Sequence, residues 1–451
     1  MSDETKMHRD VRVPRAIKRG SVLLGLLVVA LTVAMLASGC GSKKKSESTK
    51  TSAANCKLSV FSWWTGGGEA AGLDALIKIW NKDNADCPFV NEAVAGGAGT
   101  NAKAVLANRL QNNDPPDSFQ GHAGKELLDY IKAGQIEPID DIYQANGFKK
   151  VMPKSLIDQI SYKGKLYSVP VNIHRANILW YNPKVLKAAG ITTPPKTWDE
   201  FIAALDKAKA AKVIPLSLGE QWTQKHLLET VMIGVLGPDG WASLWTKGGD
   251  WSSAKVTEAL DRFKTLLTYT NSDAAYLTWQ DAGKLVITGK AAFNVMGDWQ
   301  DGYFSGSLKG DNLAKKPNVD YGWVAVPETD GVFDWLSDSF TLPKGAPHHD
   351  AAVKWLAFLG SKQAQDTFNP LKGSIPARTD TNPALYDTYL QWNLKQWKTD
   401  KLAGSLMHGV VAYNAWNADI DTALGLFLQS KDVAKFQSAL VAAAKKYSAT
   451  N

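Results

Sequence analysis

Hydrophobic and polar positions alternate over residues 57–63, and apolar residues then recur at helical spacing over 73–80. The pairing repeats. A β-prone run at 89–94 precedes a helical stretch at 102–110, and a short run at 117–119 precedes another at 124–132. Strand and helix in succession predict a mainly parallel sheet covered by helices. Ligands of such sheets settle beyond the carboxyl ends of the strands. Three loops fall there, 63–69, 96–101 and 120–122, each rich in glycine, aromatic or hydrogen-bonding residues.

Further strands are expected at 165–171, 177–181, 289–295 and 321–326. Asn182 and Pro183 open a helix that runs through Leu186 and stops at Gly190, and Thr197 to Glu200 is a capping sequence for a helix ending near Ala211. Amphipathic helices follow at 256–269, 282–288 and 350–359, residues 340–343 leave a sheet for a turn, and helical periodicity dominates from Leu385 onward. No internal repeat interrupts the pattern.

The first forty residues follow a different plan. Arg9, Arg12, Arg15, Lys18 and Arg19 precede an apolar run at 22–37, shorter than the roughly 20 residues of a spanning helix, which leads into Leu-Ala-Ser-Gly-Cys at 36–40. Residues 1–40 are therefore expected to be a bacterial lipoprotein export signal, with Cys40 as the acylated first residue of the mature chain. Ala37 stands where an aliphatic residue is usual, and an uncleaved single-helix anchor is the competing reading. Either one puts the body of the chain outside the cytoplasm.

Of the net charge of +7, residues 1–40 and residues 41–55 carry +3 each, which leaves about +1 for the remainder. Such a body has no basic excess to hold a phosphate backbone, so nucleic acid is excluded as an expected partner. Residues 41–55, all small or polar, form a flexible tether whose lysines are drawn to anionic headgroups. Residues 56–451 exceed the size at which one core stops growing, so two lobes are expected. Cys56 and Cys87 are expected to form a disulfide in an oxidising compartment, with two buried free thiols as the alternative.

The glycine runs at 66–68 and 96–99 match neither a phosphate loop nor a dinucleotide fingerprint. No His or Cys spacing indicates zinc, and no Gly-x-Ser-x-Gly elbow is present. Neither a cofactor nor a metal is expected.

Four segments carry a family resemblance. They are YKGKLYSVP from Tyr162 to Pro170 with YNPKVL from Tyr181, GKAAFNVMGDW from Gly289 to Trp299, WLSDSF from Trp335 with Lys344 and Gly345, and NPLKGSIP from Asn369 to Pro376. In this order they resemble the extracellular solute-binding proteins of bacterial ABC importers, specifically the sugar-binding branch. Phe61 to Trp64, with His408 and Gly409, is similar to the glucose- and mannose-type members. The resemblance implies an α/β fold of the periplasmic-binding-protein kind, with two lobes that are each a mainly parallel sheet flanked by helices. Lobe 1 would comprise 56–168 plus 325–378 and lobe 2 169–324 plus 379–451, with three hinge crossings and closure over one ligand. The implied protein is a monomeric binder rather than an enzyme. Its partners would be a small sugar, the membrane permease subunits of an importer and, through the lipid on Cys40, the cell membrane.

A pyranose has apolar C–H faces and a rim of hydroxyls, so its site needs flat aromatic platforms and groups that donate and accept at the rim. The chain holds 17 Trp. Alternation sends one of Trp63 and Trp64 inward and the other to the cleft; Trp64 is expected in the cleft and Trp63 in the packing. Glu69, after three glycines, could grip hydroxyls or balance a helix dipole. Gln120 and His122 follow the third strand, and His174, just past a crossing, is either a ligand group or hinge packing. Trp222, Trp279 and Trp299 are platform candidates from the second lobe. Asp338 is placed at the hinge-side wall, Lys372 as a donor to ring or exocyclic oxygens, and His408 completes the set. By likeness to the glucose-type proteins, Glu69, His122, Trp279, Asp338, Lys372 and His408 rank first. Trp64, Gln120, Trp222 and Trp299 rank next. Three rivals stay open: a glycoside hydrolase using Glu69, Asp298 and Asp338, a sugar receptor serving a sensor, and a disaccharide binder with an extra platform from Trp245, Trp251 or Trp416.

Overall fold

The computed structural model describes residues 56–306 and 312–449. The expected leader with Cys40 and the tether at 41–55 lie outside the described residues.

Strand β1 (Leu58–Phe61) pairs in parallel with β2 (Phe89–Asn91) on one side and β3 (Ser118–His122) on the other, as the strand–helix alternation requires. Two strands from far along the chain extend this sheet. β13 (Asp338–Thr341) lies antiparallel beside β3, and β6 (Ser168–Pro170) antiparallel beside β13, giving the order β2-β1-β3-β13-β6. A second sheet has the order β11 (Gly322–Ala325), β8 (Ile178–Tyr181), β10 (Ala291–Met296), β9 (Ile214–Ser217). There β10 is parallel to β9, while β8 opposes both of its neighbours. Each sheet thus has one strand running against the rest, so both are mixed: two of four pairings are parallel in the first and one of three in the second, where mainly parallel sheets were expected. A third, three-stranded sheet sets β12 (Val332–Leu336) between β14 (Lys401–Gly404) and β7 (His174–Arg175). β4 (Ser161–Tyr162) and β5 (Lys165–Leu166) form a small hairpin.

Helices cover these sheets and close two hydrophobic cores. One gathers Val60, Leu73, Trp80, Phe119, Val169, Phe340 and Trp355; the other gathers Leu179, Phe201, Leu216, Leu227, Phe263, Phe293 and Phe427. The helix Gly67–Asp83 buries Leu73, Leu76 and Trp80 at the spacing read from the sequence. Asn182 caps Pro183–Ala188, and Thr197 and Glu200 form the reciprocal capping pair of Trp198–Ala210. Cys56 and Cys87 form a disulfide that ties the approach to β1 to the approach to β2, with Cα atoms 4.6 Å apart.

Three departures from the pattern have an identifiable cause. The helix Gln221–Leu244 had no counterpart in the periodicity because every residue from Trp222 to Ile233 is buried, and polar groups such as Gln224, Lys225, His226 and Glu229 lie inside with the apolar ones, so no solvent-facing side sets a period. It breaks at Gly237, where φ is +69°, just before Pro238. The helical region expected after Leu385 is interrupted by β14, whose pairing partner β12 lies far upstream. The turn expected from Phe340 starts later, because Phe340 and Thr341 stay in β13.

Candidate functional site

Residues that follow the carboxyl ends of β1, β3, β9 and β10 meet around one narrow cleft. The register that pairs Asp338 with His122 brings their side chains together, with His122 Nε2 3.7 Å from Asp338 Oδ1. Gln120 Nε2 donates to Asp338 Oδ1 at 2.9 Å, and Asn172 Nδ2 donates to Oδ2 at 2.8 Å. Asn172 Oδ1 in turn accepts the backbone N–H of Asp338 at 2.8 Å. His174 Nε2 lies 3.1 Å from Oδ2, and its Nδ1 bonds Asp298. Burial opposes a charge on Asp338, yet the hydrogen bond and charge of His174, with Lys372 and His122, hold its carboxyl well below the usual range. Burial likewise opposes a charge on His174, but the Asp298 carboxyl beside it raises the imidazole pKa.

Across the cleft, Lys372 Nζ donates to Glu69 Oε1 at 2.8 Å. Gly68 permits this pairing: a Cβ there would sit 2.4 Å from the Leu371 carbonyl oxygen, so only glycine lets the two helices approach. Burial pushes the Glu69 carboxyl up even though Lys372 opposes the shift. Each acid faces a basic partner, so the cleft suits an uncharged, hydroxyl-rich ligand better than an ion.

Four indoles supply the platforms. Trp279 opens the helix Trp279–Ile287, fixed by the capping pair Thr278 and Asp281, and its ring lies 5.6 Å from that of Tyr303. Trp299 opens the helix Trp299–Ser305 and stands edge-on to His174 and His408 at 5.3 and 5.2 Å. Trp222 donates from Nε1 to Glu220 Oε1 at 2.9 Å and meets the loop before Thr100, where a Cβ on Gly97 would lie 2.4 Å from that nitrogen. The fourth is Trp63, 5.1 Å from the His122 ring.

The structure corrects two expectations. Trp64 does not reach the cleft: it is buried against Phe340 and Phe368 at 5.3 and 4.6 Å, and Trp63 takes the cleft position. Sheet parity separated the two residues, but both faces of this sheet are covered by core, so parity alone could not name the cleft side. Gln120 stands behind the cleft wall, bridging Asp338 and the backbone N–H of Trp63, which it accepts at 3.3 Å. Glu69, His122, Trp222, Trp279, Trp299, Asp338, Lys372 and His408 all line the cleft, joined by His174, Leu336 and Ala98. Leu336 carried a usable signal, since it lies two residues before Asp338 where the chain passes from β12 into β13.

Asp298 is fully buried and held by His174, the backbone N–H of Arg175 at 3.0 Å and Asn393 Nδ2 at 2.9 Å, which leaves Glu69 and Asp338 as the carboxyls on the cleft, each already paired with a basic side chain. Trp245, Trp251 and Trp416 pack on one another in the second core, away from it. His226, Glu229 and His408 bring potential ligand atoms within 4.8 Å of one another. Hydrogen bonds already engage that cluster: Glu229 accepts from Ser405 Oγ and from the Met407 N–H, both at 2.8 Å, and His408 Nδ1 meets Ser405 Oγ at 2.9 Å.

Residues 64–366 match the family model described as bacterial extracellular solute-binding protein. An ABC transporter extracellular-binding protein of Pyrococcus horikoshii is 39% identical over 433 residues, covering 94% of this chain and 96% of its own length. The xylose/arabinose-binding protein XacG of Haloferax volcanii is 31% identical over 398 residues, covering 86% of this chain and 84% of its own. Among solved structures, the bacterial solute receptor AcbH, described with an exclusive preference for β-D-galactopyranose, superposes with a TM-score of 0.76 at 19% identity, over 87% of this chain and 98% of its own.

Proposed function

We propose, given that the chain belongs to the family of bacterial extracellular solute-binding proteins, that it captures a small sugar, glucose or a related monosaccharide, for delivery to an ABC importer. It is a binding protein and not an enzyme. The observation that carries the sugar assignment is the lining of the cleft: four indoles with charge-paired Glu69, Lys372 and Asp338 at one site. Indole faces match the C–H faces of a pyranose, and the ionic groups match its hydroxyl rim. XacG and AcbH are both described as binders of monosaccharides, and the similarity of Phe61 to Trp64 and of His408 with Gly409 to the glucose-type proteins favours glucose.

In this reading 56–168 plus 325–378 and 169–324 plus 379–451 are two lobes that close on the sugar by a hinge. The chain acts as a monomer held on the extracytoplasmic side of the cell membrane by a lipid on Cys40. No helix among the described residues is long and apolar enough to cross a membrane. Calorimetric titration against glucose, galactose, xylose and maltose tests the ligand, with small-angle scattering to follow closure. A monosaccharide should bind most tightly and compact the protein; absence of heat with all four, or binding without compaction, refutes the proposal.

A further inference from the structure

Behind His408 lies a buried chain of polar groups that the cleft itself does not need. Ser405 Oγ is 2.8 Å from Glu229 Oε1, 2.9 Å from His408 Nδ1 and 3.2 Å from the backbone nitrogen of His408. A hydroxyl has one hydrogen and two lone pairs. If Glu229 is a carboxylate it can only accept, so the Ser405 hydrogen goes to Glu229. Both Ser405 lone pairs then take hydrogens from His408, one from its backbone N–H and one from Nδ1. Every position on the hydroxyl is filled.

The ionisation of Glu229 follows from its neighbour. Asp334 is completely buried, no N–H or O–H among the described residues reaches either of its oxygens, and the group it meets is the Glu229 carboxyl. Two adjoining buried carboxyls cannot both be charged. Glu229 already receives hydrogens from Ser405 and Met407, whereas Asp334 receives none. The proton therefore resides on Asp334, which donates it to the Glu229 anion. Burial raises both acids, and Asp334 rises well above its ordinary value while Glu229 reaches about 7. Burial above all, with the nearby Lys103 ammonium adding to it, keeps His408 neutral by lowering its pKa well below the usual histidine value.

We propose that Glu229 sets the tautomer of His408 through Ser405, so that His408 turns an unprotonated Nε2 to the cleft and accepts a hydrogen bond from one ligand hydroxyl. This rests on the sugar-binding reading for the identity of the ligand but not for the tautomer. Glu229 is then a positioning residue that touches no ligand, yet it decides whether one cleft position demands a donor. Its replacement by glutamine reverses the demand. The Met407 N–H requires the amide oxygen at one end, so the amide NH₂ faces Ser405 and donates to it. The Ser405 hydrogen then turns to His408 Nδ1, which moves the ring proton to Nε2.

Two measurements test this. In protein labelled with ¹⁵N-histidine and held at pH 8, where Glu229 with its pKa of about 7 is ionised, ring-nitrogen shifts of His408, assigned against His408→Gln, should show the Nδ1–H tautomer in the wild type and the Nε2–H tautomer in Glu229→Gln. Should Glu229→Gln not fold, Ser405→Ala should abolish the Nδ1–H preference. Titration against glucose derivatives carrying fluorine in place of one hydroxyl gives the second readout, because fluorine cannot donate. One derivative should bind the wild type at least about tenfold more weakly than glucose and recover in Glu229→Gln, while penalties at the other positions persist. A wild-type Nε2–H tautomer, or a variant that changes all derivatives equally, overturns the proposal. If glucose does not bind at all, the glucose assignment fails and the nitrogen shifts decide the tautomer alone.

Discussion

Replacing Asp338 by Asn keeps the volume of the side chain and removes its charge. The amide must put NH₂ where one carboxylate oxygen stood. At the Oδ1 position it would face Gln120 Nε2, and flipping Gln120 only turns that nitrogen toward the Trp63 N–H. At the Oδ2 position it would face Asn172 Nδ2, and flipping Asn172 turns that nitrogen toward the N–H of residue 338 itself. Every arrangement leaves one buried donor against another. An unsatisfied buried donor costs about 1–3 kcal/mol, and a charge-assisted bond reduced to a neutral one costs further, so a loss of roughly 2–4 kcal/mol is expected. Urea denaturation of both proteins measures it, and calorimetry should show sugar affinity falling at least about a hundredfold at a loss of that order. The folded pKa of Asp338 lies below its unfolded value, so its contribution is complete above the unfolded pKa of about 3.9 and fades as pH falls toward the folded one. The gap between the two proteins should therefore shrink in acid, and because Asp338 also helps to raise the His174 pKa it should narrow again as pH rises through that titration. A stability loss under about 1 kcal/mol would show that the network around Asp338 relaxes freely, and the reasoning would fail.

Trp64→Ala should cost about 3–5 kcal/mol of stability as a core truncation, whereas Trp63→Ala should cost less and mainly weaken sugar binding; parallel denaturation and titration of both variants check the exchange of roles. Gly97→Ala places a methyl 2.4 Å from Trp222 Nε1, so Trp222 must shift, and sugar affinity should fall about tenfold. Glu229 rises to about 7 in the fold, so its contribution is present below its unfolded pKa near 4.5 and is lost as pH climbs to 7. The melting temperature of Glu229→Gln relative to wild type should accordingly improve between pH 5 and 8. His226 falls to about 4 because burial disfavours its charge, so wild-type stability should also drop as pH falls from 6.5 toward 4, a decline that His226→Gln should reduce in thermal melts across that range.

The site was legible wherever a cleft residue followed a strand that local pattern could identify. Glu69 after β1, His122 ending β3 and Trp299 after β10 were found in this way, while Asp338, Lys372 and His408 came from family likeness, since no local pattern distinguishes them. Trp63 and Trp64 were exchanged because a sheet covered on both faces gives both parities the same hydrophobic character. The buried face-all-round helix that carries Trp222, His226 and Glu229 left no amphipathic trace, and β14 exists only through its pairing with β12. The contact between Glu229 and Asp334 joins residues over a hundred positions apart, and neither one's local sequence indicates a buried acid.

The lining residues differ in how firmly they are tied to their neighbours. Asp338 is bound through both oxygens and its backbone to Gln120 and Asn172, so a change there disturbs several groups at once. Trp279 stands at the first turn of a helix whose end is secured independently by Thr278 and Asp281. New ligand preferences are therefore most accessible to this scaffold by exchanging the aromatic at 279, with the acid wall retained as an invariant frame.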